Sequence, residues 1–127
     1  MKLLTHNLLR STVKQAKSGG YPLQIEATKV EVQSADFNAE FVQTMLDRLN
    51  WDAFCRAASQ LAPMAGEVHL PSSVSAENKA DEAFLQHVHH WLLEVVVLEG
   101  FLVCPDTGRK FKITNGIPNM LLRDDEL

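Results

Sequence analysis

Cysteine is scarce in this chain: among 127 residues only Cys55 and Cys104 carry a thiol. Cys55 falls within a helical pattern and Cys104 in a turn, so no disulfide framework follows, and a reducing compartment suits the chain. Glycine is sparse and scattered, at positions 19, 20, 66, 100, 108 and 116. That spacing excludes the phosphate-cradling loop and the dinucleotide fingerprint, and no nucleophile elbow is present. Basic residues number 12 against 16 acidic ones, for a net charge of −4. Affinity for nucleic acid comes largely from lysine and arginine, so gripping phosphate is not the main work, and RNA is expected only through a partner. Nothing approaches the roughly 20 apolar residues that span a bilayer, so no membrane association is expected. Met1-Lys2-Leu3-Leu4 runs straight into Thr5-His6-Asn7 without the shape of a signal peptide, and Asp124-Asp125-Glu126-Leu127 reads as an acidic tail. The length suits one compact domain with a real core.

What the chain does have is a dense final third. Leu92 to Leu122 reads LLEVVVLEGFLVCPDTGRKFKITNGIPNMLL. A β-branched run ends in Cys104-Pro105-Asp106-Thr107-Gly108, returns through Arg109 to Ile113, turns at Asn115-Gly116 and finishes as Ile117-Pro118-Asn119-Met120-Leu121-Leu122. This predicts two hairpins in series, because proline fixes one φ and glycine accepts a positive one. Pro118 cannot donate to a ladder, which puts the last strand at a sheet edge, although its neighbours are Ile, Met and Leu. An apolar edge strand invites a partner.

Taken in order, Leu3-Leu4 and Leu8-Leu9 place four leucines in a segment too short to fold alone, so it must dock on the rest. Residues 10–20 read as a solvated loop with Arg10, Lys14 and Lys17. From Tyr21-Pro22 the pattern alternates, with Leu23, Ile25 and Ala27 on one parity and Val30 and Val32 on the other. Such a switch predicts one kinked strand with a bulge, or a small hairpin. Asp36-Phe37-Asn38 offers helix caps before Phe41, Val42, Met45, Leu46 and Leu49, and a second helix carries Trp51, Phe54, Cys55, Ala58 and Leu61. Residues 62–75 read as a surface loop. Ser75 caps a third helix, Ala76 to about Leu93, with Phe84, Val88, Trp91, Leu92 and Val95 on one stripe and Glu77, Lys79 and Asp81 in solvent. The expected class is α+β: a small antiparallel sheet built from both termini, residues 1–35 and 94–127, with an inserted helical lobe, residues 36–93.

One cluster has catalytic-looking side chains. His87, His90 and Glu94 fall side by side at helical spacing, with His89 nearby, but a zinc site needs further well-placed ligands and a helix flank is an ordinary place for histidine. Cys104-Pro105-Asp106-Thr107-Gly108 resembles half of a zinc knuckle whose second thiolate is replaced by Thr107. No catalytic, cofactor-binding or metal-binding residue is therefore assigned.

Three stretches carry a wider resemblance: Met1 to Leu9; Asp36-Phe37-Asn38 and Phe41 with Trp51; and Glu99-Gly100, Cys104-Pro105, Gly108 and Asn115 to Leu122. Together they resemble the tRNA methyltransferase activator subunit 112 homologues, the small multifunctional subunits shared by several eukaryotic methyltransferases. The resemblance implies a zinc-knuckle-like β domain with a helical insertion and a non-catalytic subunit that forms heterodimers with class I S-adenosylmethionine-dependent methyltransferases. It would keep them soluble and able to hold S-adenosylmethionine, which the partner binds. Clients of such subunits modify tRNA, small-subunit ribosomal RNA and the translation termination factor, in cytoplasm and nucleus. Zinc-binding members carry cysteines at the places of Ser11, Ala16, Cys104 and Thr107; only Cys104 remains, so a knuckle without metal is expected. The partner-binding residues expected are Leu8, Leu9, Ile117, Pro118, Asn119, Met120, Leu121 and Leu122, through strand addition and apolar cover. Two rival classes are a zinc-ribbon nucleic-acid module, which needs the missing thiolates and a basic face, and a small hydrolase using the histidines, which needs a pocket and an activated nucleophile.

Overall fold

Asn115 and Gly116 both take positive φ, 52° and 78°, which is what a two-residue turn demands when it joins strands of native twist. That turn closes the second of two consecutive hairpins in a computed structural model describing residues 1–9 and 21–120. Strands β1 (Gln24–Val32), β2 (Val95–Val103), β3 (Lys110–Thr114) and β4 (Ile117–Pro118) form one antiparallel sheet in that spatial order. Helix α1 (Leu3–Leu8) precedes the sheet. Between β1 and β2 lie α2 (Ala39–Leu46), α3 (Trp51–Ala65), α4 (Ala76–Ala80), α5 (Glu82–His89) and a π-helical turn, His90–Glu94. The architecture is the expected α+β class.

The parity switch in β1 is a real bulge. Pairing runs Ala27 with Gly100, Lys29 with Glu99 and Val30 with Val97, so Thr28 is extra on one strand and Leu98 on the other. Both strands kink at the same level. Val95 and Val97 before the kink, and Gly100 and Leu102 after it, therefore all face the core. Gly100 is required there, because a Cβ would sit 2.3 Å from the Glu26 carbonyl oxygen. Val32, which shares its parity with Val30, is 51% exposed at the strand's far end.

The N-terminal leucines dock as their apolar content demands. Met1 N donates to the Val97 carbonyl at 2.6 Å, Val97 N donates back to Met1 O at 2.9 Å, and Lys2 bridges to Val96. Residues 1–2 thus occupy the stretch of β2 that β3, paired only to residues 100–103, leaves free. Asn7 then exchanges two bonds with the Asn50 backbone, its Nδ2 donating at 2.9 Å and its Oδ1 accepting at 3.0 Å, which fixes α1 to the start of α3.

The helices differ from the pattern in three places. The expected loop 62–75 begins as helix, since α3 continues through Pro63 to Ala65. The expected helix Ala76–Leu93 breaks at Asp81, whose side chain accepts from Ala83 N at 3.0 Å and so caps α5, while Ser75 forms a capping box with Asn78 on α4. Lys79, placed in solvent by the pattern, pairs with Asp47. Third, the last turn is π-helical; its extra residue rotates everything after His89 relative to a regular helix. Phe84, Val88, Trp91, Leu92 and Val95 are nevertheless all buried, in one core cluster with Phe54 and Leu61 of α3 and Leu102, Phe111 and Ile113 of the sheet.

A candidate docking edge

The sheet ends at β4, and its two-residue turn dictates how that edge is presented. Thr114 and Ile117 are directly opposite, Ile113 faces Pro118, and Asn119 N donates to the Lys112 carbonyl at 2.8 Å. The ladder thus continues one residue past β4, although the strand itself is only Ile117–Pro118, shorter than the expected Ile117–Leu122; Leu121 and Leu122 lie outside the described residues. Side chains opposite one another share a face. Pro118 therefore lies on the side of buried Ile113, and Ile117 on the opposite side, with Thr114. Ile117 is 70% exposed, whereas Met120 is half-buried and packs against the core. Thr114 and Ile117 to Met120 line an open apolar depression.

Leu8 and Leu9 divide in the same way. Leu8, the last residue of α1, is 73% exposed, and Leu9 turns inward onto the core cluster. They reach the surface on a different support from β4: α1 packs on α3 and the π-helical turn, β4 on β3 and β2. Of the eight expected partner-binding residues, then, Leu8, Ile117 and Asn119 are exposed, and Leu9, Pro118 and Met120 are partly buried.

The histidine grouping is corrected by the π-helical turn. His89 and His90, rather than His87 and His90, approach Glu94, at 3.8 and 3.2 Å. His89 Nε2–H donates to the Ala35 carbonyl at 2.9 Å while Glu94 accepts from Ala35 N at 3.0 Å, so the pair clamps the segment leading from β1 into α2. The Ala35 N–H, and then His90, hold the Glu94 carboxyl below its ordinary value. His87 instead accepts from His69 N at 3.0 Å, which ties residues 66–75 to α5. These are fastenings, and among the described residues no group of three His, Cys, Asp or Glu stands close enough to hold a metal.

The knuckle residues do not fit zinc. Cys104 is buried, its N–H bonded to Arg109 O and its carbonyl to Gly108 N, both at 2.9 Å, while Thr107 Oγ1 accepts from Arg109 N at 3.3 Å. A single thiol beside a hydroxyl is not a zinc donor set. Ser11 and Ala16 lie outside the described residues, and neither carries a thiolate.

Sequence reasoning missed His6, which lies 1% exposed with Nε2–H donating to the Leu23 carbonyl at 2.6 Å. Its burial pushes the imidazole below its ordinary value. Its place among four leucines was the available signal, since a polar residue within a segment bound to dock becomes buried with it.

The chain matches the family model described as Trm112p-like protein over residues 2–116. It is 47% identical over 126 residues to the multifunctional methyltransferase subunit TRM112-like protein of Mus musculus, covering 99% of this chain and 98% of the mouse one. Identity is 45% over 129 residues to homolog A of the same subunit in Arabidopsis thaliana, with full coverage of both, and 35% over 130 residues to TRM112 of Saccharomyces cerevisiae, covering 96% of each. Among solved structures it superposes with a TM-score of 0.65, at 22% identity and 95% coverage of each chain, on a chain of the E. cuniculi Mtq2–Trm112 complex responsible for methylating the eRF1 translation termination factor.

Proposed function

The chain belongs to the Trm112p-like protein family, and from that premise we propose that it is a non-catalytic subunit that binds class I S-adenosylmethionine-dependent methyltransferases as heterodimers, stabilises them and so activates them. The relatives' names as methyltransferase subunits support the partner class, and the complex formed by the E. cuniculi neighbour supports a heterodimer. The observation that carries the docking mode is the β4 edge, which ends the sheet with Ile117 in solvent instead of under a helix. A strand of the partner extends the sheet there. Main-chain bonds supply affinity that does not depend on one client's sequence, and Ile117, Met120 and Leu8 supply apolar cover. Such an interface buries on the order of 1,600 Å² in total. Activation follows from linkage, because a subunit that binds only the folded enzyme raises its folded population. The clients modify tRNA, small-subunit ribosomal RNA and the termination factor, in cytoplasm and nucleus, and RNA reaches this chain through them. The knuckle holds without metal, through the Cys104, Thr107, Gly108 and Arg109 bonds; elemental analysis finding one zinc per chain refutes that.

Affinity purification of the tagged chain, with identification of what co-elutes, is the direct test. Methyltransferases are expected, with activity higher in the presence of the chain than in its absence. Replacing His87, His89 and His90 together is expected to leave that activation largely intact, and its complete loss without unfolding would favour a catalytic role. Tight, salt-sensitive RNA binding by the lone chain would favour a nucleic-acid module.

A further inference from the structure

We propose that Pro118 decides which strand can dock on β4: it confines the outward donors to Met120 and beyond, and it rejects a second copy of this chain. The inference rests on the docking function proposed above and adds to it a register and a selecting residue. Across an antiparallel hairpin, residues alternate between those whose main-chain groups bond inward and those whose groups aim away from the sheet. The two-residue turn makes Thr114 and Ile117 the first inward pair, and the Asn119–Lys112 bond is the next. Pro118 and Met120, which alternate with Ile117 and Asn119 along this ladder, are therefore the outward residues. Pro118 presents a carbonyl and no donor; Met120 presents both. A docking strand must offer an N–H to Pro118 and a carbonyl to Met120, and its ladder is complete only from Met120 onward.

A second copy of β4 matches that edge badly for reasons of symmetry. When two copies pair about a two-fold axis, each brings its own proline, so the missing donor counts twice within one short ladder. A strand from another protein meets it once and can end there. Without such a device an edge carrying a 70% exposed isoleucine beside a half-buried methionine would pair with itself.

Amide hydrogen exchange, resolved by residue with NMR on the free chain and on its complex with a co-expressed class I methyltransferase, tests the register. The Ile117 and Asn119 amides should be protected in both states, and the Met120 amide should slow by about tenfold or more only in the complex. A Met120 amide that exchanges equally fast in a formed complex overturns the register and leaves the docking function standing; failure of any complex to form overturns both. Pro118→Val restores an outward donor and tests selection. Sedimentation of the isolated chain should show a concentration-dependent dimer for P118V over a range in which the wild type stays monomeric. A folded P118V that stays monomeric, or a wild-type dimer whose Met120 amide becomes protected, refutes the selecting role. Pro118→Thr carries the same test if the valine variant fails to fold.

Discussion

The sheet has two edges, and they are finished in opposite ways. β1 is lined with the exposed charges Glu26, Lys29 and Glu31, lies against α3, and has its outward Ile25 N–H taken by Gln60 Oε1 at 2.7 Å. β4 is two residues long, carries Ile117 in solvent and has a proline where an outward donor would stand. The difference teaches where an insertion can reach. The helices between β1 and β2 leave the sheet beside β1, so α3 falls over that edge, while β4 lies at the other side of the sheet, with β2 and β3 between. One edge is closed by the chain's own helix, and the other, uncovered among the described residues, is the docking edge proposed above.

The largest expected effect breaks the closed side. Gly100→Val drives a Cβ into the Glu26 carbonyl, forces β1 off β2 at the bulge, and should cost about 3 kcal/mol or more of stability in urea unfolding. On the open side, Ile117→Asp should leave that unfolding midpoint nearly unchanged and weaken methyltransferase binding about 30-fold by calorimetry, as loss of a central apolar anchor does. Glu31→Lys on β1 is the matched control, and equal losses from the two would show that β4 is not the distinguishing edge. Met120→Asp differs from both, because Met120 packs on the core, and it should lower stability and binding together. Gln60→Leu removes the acceptor from Ile25 N–H and should cost about 1 kcal/mol of stability without changing affinity.

The smallest effect concerns pH. Burial holds His6 below its ordinary value of 6.5, so the unfolded chain binds a proton there before the folded one does. The contribution of His6 to stability is fully present well above pH 6.5 and is lost as pH falls through 6.5 toward the folded value. Denaturation midpoints at pH 7.5, 6.5 and 5.5 should show this decline, and His6→Gln should make it shallower, leaving the part due to His87, whose imidazole burial also holds below its ordinary value. Glu94 adds a separate loss in more acid solution, as pH falls below its ordinary 4.5 toward its depressed folded value.

The Asn-Gly turn, the Ser75 and Asn38 caps, the kink in β1 and the edge position of the Ile117-Pro118 strand were all legible in the sequence. Each depends on neighbours a few residues away, through allowed φ, a cap within one turn, or the two-residue period of a strand. The π-helical turn was not legible, and with it went the histidine geometry, because one extra residue per turn is selected by where Ala35 and the sheet must be met.

By itself, then, the sequence determined the class, the turns, the strand order of the two hairpins and the presence of an apolar strand with a proline in it. Only the tertiary structure decided that α3 covers β1 and not β4, that Leu8 faces solvent while Leu9 and Met120 turn inward, and that residues 1–2 complete β2. Local periodicity says that a residue has an apolar face. It does not say which distant segment arrives to cover that face, since this depends on all the contacts of the fold being satisfied at once.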